Sequence, residues 1–197
     1  QILSWKAILN GKNGLINAPT GSGKTLSLIP AIVWSVVNSP KQNNNLICIW
    51  ITPLRSLSQQ IKISIEDFIS ENNLPLSVGV RNGDTSIKER NNQRNKLPNI
   101  LVTTPESLQL ILSSKDWKKK TSFLKAIVVD EWHELMGSKR GVQVELCTAA
   151  IRDFNNKTSI WGISATIGNL DKAKEVLLGS INEKNQGVLI KSTIKKR

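Results

Sequence analysis

Residues 18–25 read A-P-T-G-S-G-K-T and lie between a short apolar run and an apolar helical pattern. A strand, a glycine-rich loop and a helix in this order restrict the fold strongly, because such a loop lies where a strand of an open α/β sheet ends. Gly21 and Gly23 let the backbone curl so that its amide groups point inward, and Lys24 adds a positive charge. The segment therefore predicts a site for the phosphates of a nucleoside triphosphate.

The same loop also offers a ligand for a metal ion. The hydroxyl of Thr25 can bind Mg²⁺, while the preceding residues surround the phosphates. The residues assigned to the nucleotide are Thr20, Gly21, Ser22, Gly23, Lys24 and Thr25. The usual pattern is G-x-x-x-x-G-K-[ST], and Ala18 replaces its first glycine, a change small enough to keep the loop.

A second motif, D-E-W-H at residues 130–133, follows the apolar run A-I-V-V. This run predicts a buried parallel strand that delivers two carboxylates at its carboxyl end, where open α/β sheets bind ligands. We assign Asp130 to the magnesium ion and Glu131 to the base that polarises the attacking water. The alternative is a pair of solvated acids at the start of a helix.

Apolar runs alternate with helical patterns along the rest of the chain, which predicts an α/β fold with a mostly parallel central sheet. The predicted strands are residues 15–18, 46–52, 76–80, 99–103, 124–130 and 159–164. The predicted helices are residues 2–9, 24–37, 55–69, 105–112 and 142–154, and a further helix and strand are expected at 171–178 and 187–191. The helix at 142–154 carries apolar residues at a spacing close to 3.6. We expect one domain across residues 1–197.

The charge balance favours a polyanionic partner. The chain has 27 Lys and Arg against 15 Asp and Glu, which gives a formal net charge of +12. Much of the excess lies in residues 115–125 and 191–197, and a solvated surface is the alternative for each cluster. Charge alone does not separate nucleic acid from an anionic membrane surface.

Composition also indicates where the protein works. No apolar stretch approaches the roughly 20 residues that cross a bilayer, and no export signal is visible, so we expect a cytoplasmic protein without a membrane partner. Cys48 and Cys147 lie inside apolar runs and are expected to be reduced core residues. Because the chain begins at Gln1, we expect a fragment or an excised domain.

Further segments follow in a fixed order: T-P-L-R-S-L at 52–57, N-G-D-T at 82–85, T-T-P-E-S-L at 103–108 and S-A-T at 164–166. Together with the two nucleotide motifs, this set resembles superfamily 2 helicases of the DEAD/DEAH-box group over residues 1–167. The stretch D-E-W-H-E-L-M-G-S-K-R-G-V-Q-V-E-L at 130–146 is similar to Lhr-type (large helicase-related) DNA helicases. The resemblance implies a P-loop NTPase (RecA-like) three-layer sandwich that is the first motor domain of an ATP-dependent helicase.

The resemblance implies several roles around the nucleotide. Gln1 lies about where the family's adenine-reading glutamine stands, although a generic helix residue is the alternative. Ser164 and Thr166 match the motif that couples the nucleotide state to domain movement. The resemblance implies that His133 is catalytic together with Lys24 and Glu131. It also implies that His133 takes part in the same coupling.

Two segments are implied to hold the nucleic-acid backbone. They comprise Pro53, Leu54 and Arg55, and Thr103, Thr104, Pro105 and Glu106. A helix that opens after T-P offers free N–H groups to a phosphate, and an arginine adds a charge-assisted fork. Simple helix capping by Thr52 and Thr104 is a compatible alternative.

An additional contact to the nucleic-acid strand is expected at Gly83, Asp84 and Thr85, and a plain turn is the alternative. Trp132 is expected to pack against the following helix, and stacking on a base is the alternative.

The family's second RecA-like domain, which carries arginine fingers, has no counterpart after residue 167. Because such a finger contributes roughly 10³–10⁵ in rate, we expect this chain alone to hydrolyse ATP very slowly. The expected partners are that second domain and single-stranded or partly duplex nucleic acid, with DNA favoured. An RNA helicase or remodeller, and a degenerate ATPase that serves as a nucleic-acid-binding module, are the alternatives.

Overall fold

The computed structural model describes residues 1–18, 25–37, 45–165, 168–179 and 187–191, with the backbone alone for Thr25 and Val36. Its strands are β1 Gly14–Asn17, β2 Cys48–Ile51, β3 Val78–Arg81, β4 Ile100–Thr103, β5 Ala126–Val129, β6 Ser159–Ser164 and β7 Val188–Lys191. They form one sheet in the order β3-β4-β2-β5-β6-β1-β7, and each pairing between them is parallel.

Helices connect the strands. They are α1 Ile2–Leu9, α2 Ile29–Val37, α3 Arg55–Glu71, α4 Ile87–Asn95, α5 Pro105–Leu112, α6 Trp117–Thr121, α7 Trp132–Leu135, α8 Lys139–Phe154 and α9 Leu170–Leu178. A short 3₁₀ turn, Thr25–Ser27, precedes α2.

Apolar residues cover both faces of the sheet, as parallel sheets require. One core contains Trp50 and Trp161 with the inner sides of α2 and α3. The other contains Trp132 with the inner sides of α5, α8 and α9. The predicted three-layer α/β sandwich with a parallel sheet is therefore confirmed.

Some helices differ from the sequence prediction. The pattern indicated no helix at α4, α6 or α7, and α8 begins at Lys139 because the Ser138 hydroxyl accepts a hydrogen bond from the Gly141 amide. The helix predicted at residues 24–37 is a 3₁₀ turn followed by α2, within the described residues. The apolar residues that indicated α8 lie on its exposed side: Val142, Leu146, Ala149, Ala150 and Phe154.

The parallel arrangement brings the carboxyl ends of the strands to one edge of the sheet. Asn17 of β1 is in register with Ser164 of β6, and Ile51 of β2 is in register with both Thr103 of β4 and Val129 of β5. The described residues that directly follow these strands therefore lie side by side, and they begin the segments that carry the motifs.

The two cysteines are buried and free, so their predicted place in the core is confirmed. Burial raises the pKa of the Cys147 thiol to about 11, and it also raises the pKa of Cys48. In the described ranges, no helix is both long enough and apolar enough to span a membrane.

Candidate functional site

Asp130 lies directly after β5 and is 4% exposed. The indole N–H of Trp50 donates to its Oδ2 at 3.3 Å, and the Glu131 amide donates to its Oδ1 at 2.9 Å. A buried carboxylate requires such donors, because removing a charge from water is otherwise very costly. The donors fix its position at the carboxyl edge, so the alternative of two solvated acids is wrong for Asp130.

Glu131 has an unusual backbone conformation, with φ 45° and ψ 46° in the left-handed region. For a residue other than glycine this conformation costs roughly 1–2 kcal/mol. Two hydrogen bonds help to hold it, one from its own amide to Asp130 Oδ1 and one from the Glu134 amide to its carbonyl. Strain of this kind is typical of functional sites. The side chain is only 16% exposed, so it is not a solvated acid either.

His133 connects the acids to the neighbouring strand end. Its Nδ1 lies 3.2 Å from the Ser164 hydroxyl and 3.4 Å from Oε2 of Glu131. The Ser164 carbonyl accepts a hydrogen bond from the Ala18 amide at 3.0 Å, and the Asn17 side chain donates to the Ala165 carbonyl at 2.7 Å. A continuous set of contacts therefore runs from the end of β1, where the glycine-rich loop begins, to Glu131.

The glycine-rich loop itself lies outside the described residues. This applies to Thr20, Gly21, Ser22, Gly23 and Lys24, to the side chain of Thr25, and to Thr166. Before the loop, the Ala18 amide is hydrogen-bonded to the Ser164 carbonyl at the end of β6.

The helix that begins after Gln1 packs beside the segment that follows this loop. Ser4 Oγ donates to the Ser27 carbonyl at 2.7 Å, and the Trp5 indole donates to the Leu26 carbonyl at 3.3 Å. The exposed Gln1 therefore starts the helix that supports the segment after the loop. Its assignment to adenine stays a prediction.

Trp132 is fully buried, and its indole donates to the Ala173 carbonyl of α9 at 2.9 Å. Trp132 lies in the same apolar core as the inner side of α8, as predicted, and its hydrogen-bond partner belongs to α9.

Arg55, the first residue of α3, forms an ion pair with Asp84 of the 82–85 turn at 2.7 Å. Both side chains are more than 60% exposed. A Cβ at Gly83 would overlap the Arg55 guanidinium, so the missing side chain lets the arginine cross the turn. Three residues predicted to contact nucleic acid thus form one unit.

Arg140 forms the other connection between motifs, although the sequence pattern indicated no role for it. Its Nε and Nη2 donate to the two Glu106 carboxylate oxygens at 2.6 and 3.3 Å, and its Nη1 donates to the Pro53 carbonyl at 2.6 Å. It therefore ties the segment after β2 to the segment after β4. The only signal in the sequence was its place in the G-S-K-R-G stretch at 137–141.

The threonines before the two helices behave differently from simple caps. Leu54, not Thr52, precedes α3, and the Thr52 hydroxyl bonds to the Leu54 carbonyl and to Ser58. Thr104 does occupy the position before α5, with Pro105 in the first turn, but its hydroxyl makes no capping bond to the backbone. Capping by Thr52 is therefore wrong, and Thr103 and Thr104 are both buried.

Asp130 also fits a magnesium ion. Mg²⁺ in nucleotide sites takes one or two carboxylates together with substrate phosphates and water. A single buried carboxylate with fixed orientation, at the edge where the glycine-rich loop begins, has the required chemistry. In the part of the chain that the structure describes, no three His, Cys, Asp or Glu side chains form a metal cluster.

Residues 1–173 match the DEAD/DEAH box helicase family. The sequence is 37% identical over 184 residues to the ATP-dependent helicase Lhr-Core of Sulfolobus acidocaldarius, covering 87% of this chain and 21% of that protein. It is 32% identical over 184 residues to the Lhr-Core helicase of Methanothermobacter thermautotrophicus, again covering 87% of this chain and 21% of that protein. The predicted similarity to Lhr-type helicases is confirmed, and the chain spans about a fifth of these relatives' length.

The fold agrees with a solved structure as well. The structure of Mycobacterium smegmatis helicase Lhr bound to ssDNA and AMP-PNP superposes with a TM-score of 0.78 at 27% identity. The match covers 98% of this chain and 25% of that chain.

The Arg140–Glu106 contact can be tested through the acidity of Glu106. Burial raises the pKa of its carboxyl, but hydrogen bonds from Arg140, the Glu106 backbone and Thr104 outweigh burial, so the pKa lies below its ordinary value. In Arg140→Gln we expect this pKa to rise, as measured by NMR titration of the carboxyl carbon. A lowered pKa stabilises the fold above the unfolded pKa. The stability advantage over the variant should therefore be present at neutral pH and disappear as the pH falls through the folded pKa.

The matched control is Lys139→Gln, which removes the same charge from an exposed neighbouring position on α8. It should leave the Glu106 pKa nearly unchanged. An unchanged Glu106 pKa in Arg140→Gln would show that the bridge does not form in solution.

Proposed function

Because this chain belongs to the DEAD/DEAH box helicase family, we propose that it is the first RecA-like, ATP-binding domain of a helicase that moves along single-stranded DNA. The observation that supports this most is the set of contacts from Ala18 through Ser164 and His133 to Glu131. It connects the start of the glycine-rich loop with the acidic motif. The second RecA-like domain would be the partner across this edge.

Residues of the glycine-rich loop and residues at the carboxyl edge of the sheet would have different roles in binding and hydrolysing the nucleotide. Lys24 and the loop amides would hold the β- and γ-phosphates, and Thr25 with Asp130 would hold magnesium. Magnesium neutralises charge on the phosphate oxygens when it is bound. Glu131 would orient and polarise the attacking water, and its strained backbone fixes where the carboxylate points.

Ser164 and His133 would transmit the state of the nucleotide. The Nδ1 atom of His133 is near both the Ser164 hydroxyl and the Glu131 carboxylate, so a change at Glu131 alters the partner available to Ser164. Ser164 ends β6, and it is predicted together with Thr166 to couple the two domains. This arrangement supports a coupling role for both residues.

The single-stranded DNA would lie along the carboxyl ends of β2, β3 and β4. An exposed ion pair such as Arg55–Asp84 is worth about 0–1 kcal/mol, so Arg55 can exchange the carboxylate for a phosphate at little cost. Asp84 and Glu106 would act by positioning arginines, because a carboxylate repels a phosphate. Contacts of this kind read the backbone and not the bases.

DNA is favoured over RNA as the bound nucleic acid, because the similar M. smegmatis structure contains ssDNA. We place the protein in the cytoplasm, where ATP is available and buried thiols such as Cys48 and Cys147 stay reduced.

Glu131→Gln in the full-length protein tests the enzymatic part of the proposal. Removing a general base should lower strand-stimulated ATP turnover by roughly 10²–10⁴-fold, while the Kd for ATP changes little. Steady-state phosphate release and nucleotide binding measure the two effects. The control Glu134→Gln removes an exposed carboxylate from the residue that follows His133, and it should keep the ATP turnover of the wild type. Equal turnover in Glu131→Gln and wild type would favour a binding module without catalysis.

Arg55→Gln tests the strand contact. Losing one phosphate contact should reduce the slope of log K against log salt by roughly 0.7, and should weaken single-strand binding roughly fivefold at 0.1 M salt. Fluorescence anisotropy with a labelled oligothymidylate measures both. Lys62→Gln, also on α3 but paired with Glu66, is the control. An unchanged salt slope in Arg55→Gln would remove Arg55 from the strand path.

A further inference from the structure

A cavity of about 360 Å³ opens beside the outer strands of the sheet, away from the acidic motif. Cationic side chains from three elements line it: Arg81 at the end of β3, Arg90 and Arg94 on α4, and Lys120 on α6. No Asp or Glu is among its described lining residues.

The positive charge in this cavity is poorly compensated. Lys120 pairs with Asp116 at 2.8 Å, whereas no described carboxylate lies within ion-pair distance of the three arginines. Burial, followed by the charges of Arg90 and Arg94, lowers the pKa of Arg81. Like charges held together in a partly buried site repel one another, and they attract an anion strongly.

Arg90 joins the cavity to the 82–85 turn. Its Nη2 donates to the Asn82 carbonyl at 3.2 Å and to the Gly83 carbonyl at 2.9 Å. Its Nε is buried and has no hydrogen-bond partner within the described ranges. Arg90 therefore lines the cavity and also contacts the turn whose Asp84 pairs with Arg55, while Lys120 belongs to the basic residues 115–125.

We propose that this cavity binds a backbone phosphate of the nucleic-acid strand and extends the strand path beyond the 82–85 turn. This inference rests on the proposed function. Guanidinium groups suit phosphate because their planar fork matches two phosphate oxygens. The contact carries no base specificity, so it should add affinity for any sequence.

The test removes two cationic groups without disturbing the turn. Arg81→Gln/Arg94→Gln keeps Arg90 and its bonds to the backbone, and the single variant Arg94→Gln changes only an exposed side chain. The control Lys6→Gln/Lys88→Gln removes the same charge from exposed positions on α1 and α4 that do not line the cavity. Oligothymidylate binding to the full-length proteins is measured by anisotropy across a salt series. Binding of tripolyphosphate is measured by calorimetry, with AMP-PNP and Mg²⁺ present to occupy the proposed nucleotide site.

The double variant should bind the strand roughly fivefold more weakly at 0.1 M salt, with a salt slope lower by roughly 0.7, because one phosphate contact is lost. Arg94→Gln should show about half of that change in slope, and the control should bind within about twofold of wild type. A strand affinity equal to the control's, while Arg55→Gln still weakens binding, would overturn the cavity assignment alone. Loss of tripolyphosphate binding with unchanged strand binding would assign the cavity to free polyphosphate and would also overturn it. Failure of all the proteins, wild type included, to bind a strand would instead contradict the proposed function.

Discussion

The buried carboxylate of Asp130 is the constraint on which the rest of the site depends. A charge that is 4% exposed is stable only where donors face it, and the Trp50 indole from β2 and the Glu131 amide supply two of them. Trp50 belongs to the core on one face of the sheet, so the packing of the whole layer fixes the direction of the acid. The same hydrogen bond from the Glu131 amide helps to hold Glu131 in its left-handed conformation. The packing of the sheet, the strained backbone of Glu131 and the position of the Asp130 carboxylate therefore all depend on the peptide unit between these two residues.

Two arginines, the exposed Arg55 and the half-buried Arg140, organise the other end of the same edge. Arg55 and Arg140 each neutralise a carboxylate, and between them they connect the segments after β2, β3 and β4. Neither ion pair is buried, so each contributes little to stability and can be exchanged. Low stability would suit the proposed role of this surface, which is to accept and release a nucleic-acid strand. In the proposed motor domain, a fixed nucleotide site and an exchangeable nucleic-acid surface would lie on one sheet.

Much of the fold could be predicted because buried parallel strands are continuous apolar runs that stop at a polar residue, as A-I-V-V stops at Asp130. The helix α4 could not be predicted, since I-K-E-R-N-N-Q-R-N contains one apolar residue and has no apolar stripe. Its Ser86 cap and the Gln93 contacts with Val80 and Glu89 supply what periodicity lacks. The exposed apolar stripe of α8 shows that a period of 3.6 identifies a helix without identifying its buried side. Arg140 was missed because its partners are 34 and 87 residues away in the sequence.

The central claim is that Lys24 and the acids at 130 and 131 serve one triphosphate. A crystal structure of the protein with AMP-PNP and Mg²⁺ tests it most directly. We expect the Lys24 ammonium at the β- and γ-phosphates, and the Asp130 carboxylate on the magnesium ion of the same nucleotide, directly or through one water. A nucleotide bound so that Lys24 and Asp130 cannot both reach its phosphates and metal would contradict the claim.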